Sequence, residues 1–177
     1  MRMITSAAAL AALCLVAGCA TTGSPARKVV ATATLLAADG GVRGNAKLVA
    51  VGDRLDLEVE ATGLRPGLHG VHLHATGSCV PGDFASAGGH FNPGGRQHGT
   101  MNPLGSHAGD LPNLSAGADG REALTSLLDG SRTGLGPLLF DADGTAIVIH
   151  ADPDDYLTDP SGKSGGRIAC GVFAQVR

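Results

Sequence analysis

The chain has no tryptophan, one tyrosine and four phenylalanines in 177 residues, so no core built around large aromatic rings is available to it. Charged residues are also few, at 16 %, and 13 Lys and Arg against 16 Asp and Glu leave a net charge of −3. That balance offers no basic footprint for nucleic acid. The apolar run from Ala7 to Ala17 is too short to span a bilayer. No long helical period appears anywhere in the chain. Hydrophobic residues still make up 43 %, which is too apolar for a disordered chain and fits one globular domain with a tail. What is abundant is glycine, with 28 Gly beside 9 Pro and no Gly-x-y period. That composition indicates many turns and long loops.

The N-terminus reads as an address. Arg2 precedes the apolar run, which ends Val16-Ala17-Gly18-Cys19. A basic start and a short apolar stretch make a secretory signal, expected over 1–18. Small residues just before a cysteine resemble the bacterial lipobox, which implies a lipid on Cys19, a tether over 19–28 and attachment to the cell envelope, facing the periplasm or the exterior. A plain signal peptide that leaves Cys19 a free thiol is the alternative. Cys14 leaves with the signal, so Cys79 and Cys170 remain in an oxidising compartment. One disulfide is their simplest use, and two free buried thiols are the alternative.

Over 29–177 the pattern is a single all-β domain. Strands are expected at Lys28–Leu36, Asn45–Val51, Leu55–Thr62, Gly67–His74, Glu122–Leu128, Thr145–His150 and Ile168–Val176. In the third, Leu55, Leu57 and Val59 alternate with Asp56, Glu58 and Glu60, the pattern of a half-buried antiparallel strand. Ala-Asp-Gly recurs at 38–40, 118–120 and 142–144, which reads as repeated hairpin chemistry. Many short strands with Gly-rich turns point to a sandwich or barrel. Two stretches do not fit a minimal barrel: Ala75 to about Ser115, and Ala151 to Gly166. Loops of that kind inside a compact domain must be stapled or functional.

The histidines mark the chemistry. All seven lie between positions 69 and 150. His72 and His74 are two apart on an expected strand and share a face, with Val71 and Leu73 on the other. His90, His98 and His107 follow in the long loop with Asp110, and His150 ends a separate strand. Imidazole-rich sites suit copper, zinc, iron or nickel. Three His with an Asp suit tetrahedral zinc, and several His without thiolate suit a redox-cycling copper.

Gly70-Val71-His72-Leu73-His74, Ala87-Gly88-Gly89-His90-Phe91-Asn92-Pro93, Gln97-His98-Gly99, His107-Ala108-Gly109-Asp110-Leu111-Pro112-Asn113 and Gly165-Gly166-Arg167-Ile168-Ala169-Cys170-Gly171-Val172 occur in that order. Together they resemble a bacterial copper/zinc superoxide dismutase, here of a lipoprotein type, over about Val29 to Arg177. The resemblance implies a Greek-key β-barrel or sandwich of about eight antiparallel strands with two long metal-site loops. It implies one copper on His72, His74, His90 and His150, and one zinc on His90, His98, His107 and Asp110, with His90 bridging. His69 and Asp154 would brace the ligands, Cys79 and Cys170 would pair, and Arg167 would sit beside the copper to receive the anion. Lys163 is the candidate to help steer it. The implied activity is conversion of superoxide to dioxygen and hydrogen peroxide. A non-catalytic periplasmic copper-binding or copper-delivery protein of the same fold is the alternative. No nucleic-acid partner is expected, the membrane is reached only through the lipid, and a monomer and a homodimer are equally compatible.

Overall fold

The computed structural model describes residues 25–176. The expected signal over 1–18, the expected lipidation site Cys19 and most of the expected tether lie outside the described residues. Ten strands and one helix form: β1 Arg27–Leu36, β2 Val42–Val51, β3 Arg54–Ala61, β4 Gly67–His69, β5 Val71–His74, β6 Leu114–Ala116, β7 Glu122–Ser131, α1 Arg132–Leu139, β8 Ala146–His150, β9 Arg167–Val172 and β10 Ala174–Gln175. One antiparallel sheet runs β5-β8-β9-β1-β2-β3-β7, with β10 also pairing β1. The separate β4–β6 ladder fills the gap between its two edges, since β4 runs on into β5 through Gly70 and β6 turns into β7. The connections from β3 to β4 and from β7 to β8 each pass over an intervening strand, which makes the curled sheet a Greek-key barrel.

Alternation decides what lies inside. Leu55, Leu57 and Val59 of β3 join Leu35, Leu48, Leu73, Ile147 and Ile149 in the interior. Asp56, on the outer face, is also buried, because Arg27 and Arg54 both reach its carboxylate, at 3.0 and 2.9 Å. On β5 Val71 and Leu73 enter the core, while His72 and His74 take the opposite face. That outer face is covered as well, by a small cluster of Phe84, Ala87, Ala146, Val148 and Cys170 with Cys79 packed against it. Cys79 and Cys170 are disulfide-bonded, their Cα atoms 5.7 Å apart, and so pin the first long loop to β9.

Four elements depart from the expected pattern: the expected strand Gly67–His74 divides at Gly70 into β4 and β5, which belong to different sheets, and Ile168–Val176 divides at Phe173 into β9 and β10. Leu114–Ala116, at the end of the expected loop, is the short strand β6, too brief to show a period. Arg132–Leu139 is a helix although it carries Gly134, Gly136 and Pro137. Tertiary contacts overrule those residues: Ser131 caps it by accepting from Gly134 N at 3.1 Å, Asp53 accepts from Thr133, and Leu135 and Leu139 are buried one turn apart. The Ala-Asp-Gly glycines all adopt positive φ, Gly40 at 82°, Gly120 at 70° and Gly144 at 66°. The first closes the β1–β2 hairpin, and the second sits in the turn that leads from β6 into β7, strands that pair with β4 and β3 rather than with each other. The third is not a hairpin, because α1 precedes it.

Candidate metal centre

The barrel's outer face brings six of the seven histidines together, and the second acceptor of each ring shows where its lone pair points. His72 Nε2 donates to Asp154 Oδ2 at 2.8 Å, His74 Nδ1 to the Gly88 carbonyl at 3.0 Å and His150 Nδ1 to the Gly165 carbonyl at 3.2 Å. Each ring is thereby held in one tautomer. The atoms left over, His72 Nδ1, His74 Nε2, His90 Nε2 and His150 Nε2, are buried and have no hydrogen-bond partner. Ligand atoms of these four residues lie within 4.8 Å of one another. Four converging buried lone pairs without a donor are the signature of a cation site, since such groups otherwise cost free energy.

A second convergence lies on the far side of His90. Nδ1 of His90, His98 and His107 stand 3.0, 2.9 and 3.2 Å from Asp110 Oδ1, and His107 Nδ1 is 3.4 Å from His90 Nδ1. A tetrahedron with zinc–nitrogen arms of about 2.05 Å has edges of about 3.3 Å. The four atoms therefore have the spacing of one tetrahedral ligand set. Distance alone also groups His72 with His90, His98 and Asp110. His72 belongs with the first set, because its Nε2 is engaged by Asp154 and its Nδ1 is the free atom.

Asp154 ties the two sets together. Its Oδ2 accepts from His72, and its Oδ1 accepts from His98 Nε2 at 2.9 Å and Tyr156 N at 2.7 Å. Asn113 exchanges two hydrogen bonds with the Asp154 backbone, at 2.8 and 2.9 Å, and so fastens the second loop to the first. Gly162 closes over the carboxylate at φ 62°, where a Cβ would collide with Asp154 Oδ1 and stand 2.7 Å from His98 Nε2. His69, the seventh histidine, sits outside both sets between the His150 and Arg65 carbonyls, at 2.7 and 2.8 Å, and braces the chain under His150.

The electrostatics separate the two sets. Burial lowers His72, and it lowers His74 to about 2, His150 to about 3 and His90 to about 4, so these rings are neutral and free to donate electron pairs. His98 goes the other way, to about 9, because burial is outweighed by hydrogen bonds to Asp110 and Asp154. Burial raises Asp110 and Asp154, but the histidine donors prevail and hold both carboxyls well below the usual carboxylate range.

Arg167 opens β9 directly opposite His150 in the ladder, at a register shift. Its Nη1 donates to the Phe84 carbonyl and its Nη2 to the Gly88 carbonyl, both at 2.7 Å. Gly88 O thus holds both Arg167 and His74. The guanidinium lines an open depression of about 480 Å³ walled by Asp83, Ala85, Gly88, Gly89, Gly165 and Gly166. Lys163 is not at that mouth; its ammonium lies 3.8 Å from Asp155. Asn113, Tyr156, Gly162 and Asp159, whose Oδ1 accepts from His98 N at 2.6 Å, escaped the sequence reading. Of these, only Asn113 lies within one of the metal-site motifs, at the end of His107–Asn113, and the backbone carbonyls of Gly88 and Gly165 carry no sequence signal at all. The larger cavity of about 550 Å³ beside α1 is lined by Val30, Leu55 and Pro137 and has no part in this site.

An antiparallel barrel with two adjoining imidazole-rich sites under two long loops, the first pinned by a disulfide, defines a class of metalloprotein, and comparison gives the family. The family model for copper/zinc superoxide dismutase (SODC) matches residues 42–173. A superoxide dismutase-like protein of Bacillus subtilis is 51 % identical over 126 residues, covering 67 % of this chain and 62 % of its own length. The copper/zinc superoxide dismutase of Caulobacter vibrioides is 42 % identical over 147 residues, covering 81 % of this chain and 84 % of its own. The solved copper/zinc superoxide dismutase of Brucella abortus superposes with a TM-score of 0.64 at 30 % identity, covering 83 % of this chain and 99 % of its own. The chain belongs to the copper/zinc superoxide dismutase family, a family of oxidoreductases.

Proposed function

We propose that this protein dismutates superoxide, with one copper held by His72 Nδ1, His74 Nε2, His90 Nε2 and His150 Nε2, and one zinc by His90 Nδ1, His98 Nδ1, His107 Nδ1 and Asp110 Oδ1. The observation that carries the reading is the set of four buried, partnerless ring nitrogens converging beside an anchored guanidinium. The copper supplies alternating one-electron oxidation and reduction, so that two superoxide ions and two protons become dioxygen and hydrogen peroxide. Arg167 binds and orients the anion; its two Nη groups are held by carbonyls, so the charge is fixed before the anion arrives. His90 Nδ1 faces Asp110, so Nε2 is the ring atom that would carry a proton whenever it did not hold copper and would release it to the product; zinc on Nδ1 would supply a fixed positive charge that keeps that proton labile. Asp154 and the Gly88 and Gly165 carbonyls keep His72, His74 and His150 in the tautomers the site requires.

A lipid on Cys19 would hold the domain at the bacterial envelope, a reading that rests on the sequence before it. Replacement of Cys19 by serine is expected to move the protein from the membrane to the soluble fraction. A second reading is copper binding or delivery without turnover, prompted by the Bacillus relative being superoxide dismutase-like by name. Metal-free chain, reconstituted with copper and zinc, separates the two readings. Fast superoxide decay that is lost in His72→Ala establishes the enzyme. Stoichiometric copper uptake with decay no faster than free metal establishes the second reading.

A further inference from the structure

We propose that Asp83 is a specificity-determining residue of the anion site, a fixed negative charge at the mouth that disfavours dianions against small monoanions. The inference deepens the dismutase reading and rests on it. Among the residues walling the depression, Asp83 and Arg167 carry the only charges, and they are opposite. The other five are glycine or alanine and bring no polar side chain. Selection among anions therefore falls to these two groups.

One turn places both. Arg167 donates to the Phe84 and Gly88 carbonyls, and Asp83 immediately precedes Phe84. Asp83 Oδ1 accepts from Ala85 N at 2.9 Å, which fixes the carboxylate against its own backbone. Phe84 itself adopts φ 54° and is buried to 1 % exposure with Ala87, Val148 and Cys170, so the turn is anchored from below. Because both Nη groups are engaged with carbonyls, Asp83 acts on an incoming anion through space and not as the guanidinium's partner. Burial lowers the affinity of Arg167 for its proton, and the charge of Asp83 opposes that effect, which places the carboxylate within electrostatic reach of the guanidinium.

The physics gives a sharp ratio. A charge acting through space changes the binding of an ion of charge z by a factor raised to the power z. With water-like screening at a range of about one Debye length, about 8 Å at physiological salt, removing one negative charge tightens a monoanion on the order of 2–4-fold, and a dianion by the square of that factor. A role confined to holding the turn predicts no such squared relation.

The test uses copper- and zinc-loaded protein, with azide as the monoanion, followed by its effect on the copper absorption, and inorganic phosphate as its competitor at about pH 8, where it is a dianion. Asp83→Asn and Asp83→Ser keep an acceptor for Ala85 N. Asp119→Asn is the matched control, since Asp119 Oδ1 accepts from Arg121 N in the same i, i+2 geometry, at 3.1 Å, on the turn before β7. Both Asp83 variants are expected to tighten azide about 2–4-fold and phosphate by about the square, with both gains shrinking as salt is added, while Asp119→Asn changes neither. Equal gains for the two anions, no gain, or the same gain in the control would overturn the proposal. Loaded wild type that binds azide but does not consume superoxide would sink the dismutase reading and leave the Asp83 ratio still decided. Failure of all forms to bind azide would overturn both.

Discussion

Gly162→Ala tests how tightly the second loop must close on Asp154. The added Cβ would collide with Asp154 Oδ1 and crowd His98 Nε2 at 2.7 Å, and alanine at φ 62° carries a backbone cost as well. Gly95 is the matched comparison, at φ 59° with nothing within 4 Å of its added Cβ. The backbone term, about 1–2 kcal/mol, is common to both substitutions. Only Gly162→Ala displaces a buried carboxylate that accepts from His72, His98 and Tyr156, at 2.8, 2.9 and 2.7 Å. Hydrogen bonds to a charged group contribute about 1.5–3 kcal/mol each, so loss of one or two makes the difference between the variants about 3 kcal/mol. Urea unfolding of the metal-free, disulfide-intact protein at neutral pH reads that difference. Zinc titration against a chromophoric chelator reads the second effect, an affinity about 10–100-fold weaker for Gly162→Ala. Two variants within about 0.5 kcal/mol of each other, with equal zinc affinity, would refute the argument that Asp154 is held in place by this glycine.

Further outcomes follow from the same geometry. Without metals, His74, His90 and His150 are buried neutral, with folded values of about 2, 4 and 3, against about 6.5 in the unfolded chain. Their contribution is therefore complete above about pH 6.5 and is lost as pH falls toward the folded values, at up to about 1.4 kcal/mol per pH unit for each ring. His98, raised to about 9, contributes oppositely, fully below about pH 6.5 and lost as pH rises through 9. The metal-free protein should accordingly weaken toward acid below about pH 6.5 and, through His98, between about pH 6.5 and 9, and a flat urea-midpoint profile from about pH 4 to 10 would contradict these assignments. Replacing Cys79 and Cys170 by serine frees a 91-residue separation and should cost about 4 kcal/mol in thermal or urea unfolding; a change below about 1 kcal/mol would show that the loop is held by packing instead. Arg167→Lys cannot keep both carbonyl bonds and still face the site, so kcat/KM for superoxide should fall at least about tenfold with copper and zinc content unchanged. An undiminished rate would remove Arg167 from anion binding.

The parts of this fold legible in the sequence are those governed by short periods. Leu55, Leu57 and Val59 announced a strand face, and Val71 and Leu73 against His72 and His74 announced which face of β5 carries imidazoles. The glycine at 40 announces a hairpin and the glycine at 120 a tight turn, because only a positive φ closes them cheaply. Helix α1 was hidden because Gly134, Gly136 and Pro137 argue locally against it, while Asp53 and the buried Leu135 and Leu139 decide it from a distance. The site divides in the same way. The imidazoles are rare and conspicuous side chains. The groups that aim them are backbone carbonyls at Gly88 and Gly165, a glycine that must have no side chain at 162, and an Asn113 whose partner lies 41 residues on. Asn113 lies in a recognisable motif, but its partner does not show in the sequence, and the others have no local signature, since each acquires its role only when the two loops meet.

With copper and zinc assigned as proposed, the Asp154 carboxylate has a thermodynamic consequence. It grips His72 on one side and His98 on the other, so ordering either ring orders the carboxylate for its neighbour. His90 adds a second link through its own ring. Coupling of this kind is reciprocal: whatever factor zinc contributes to copper retention, copper must contribute to zinc retention. The pair then loads and empties as a cooperative unit, and scarcity of either ion in the surroundings is felt at both positions.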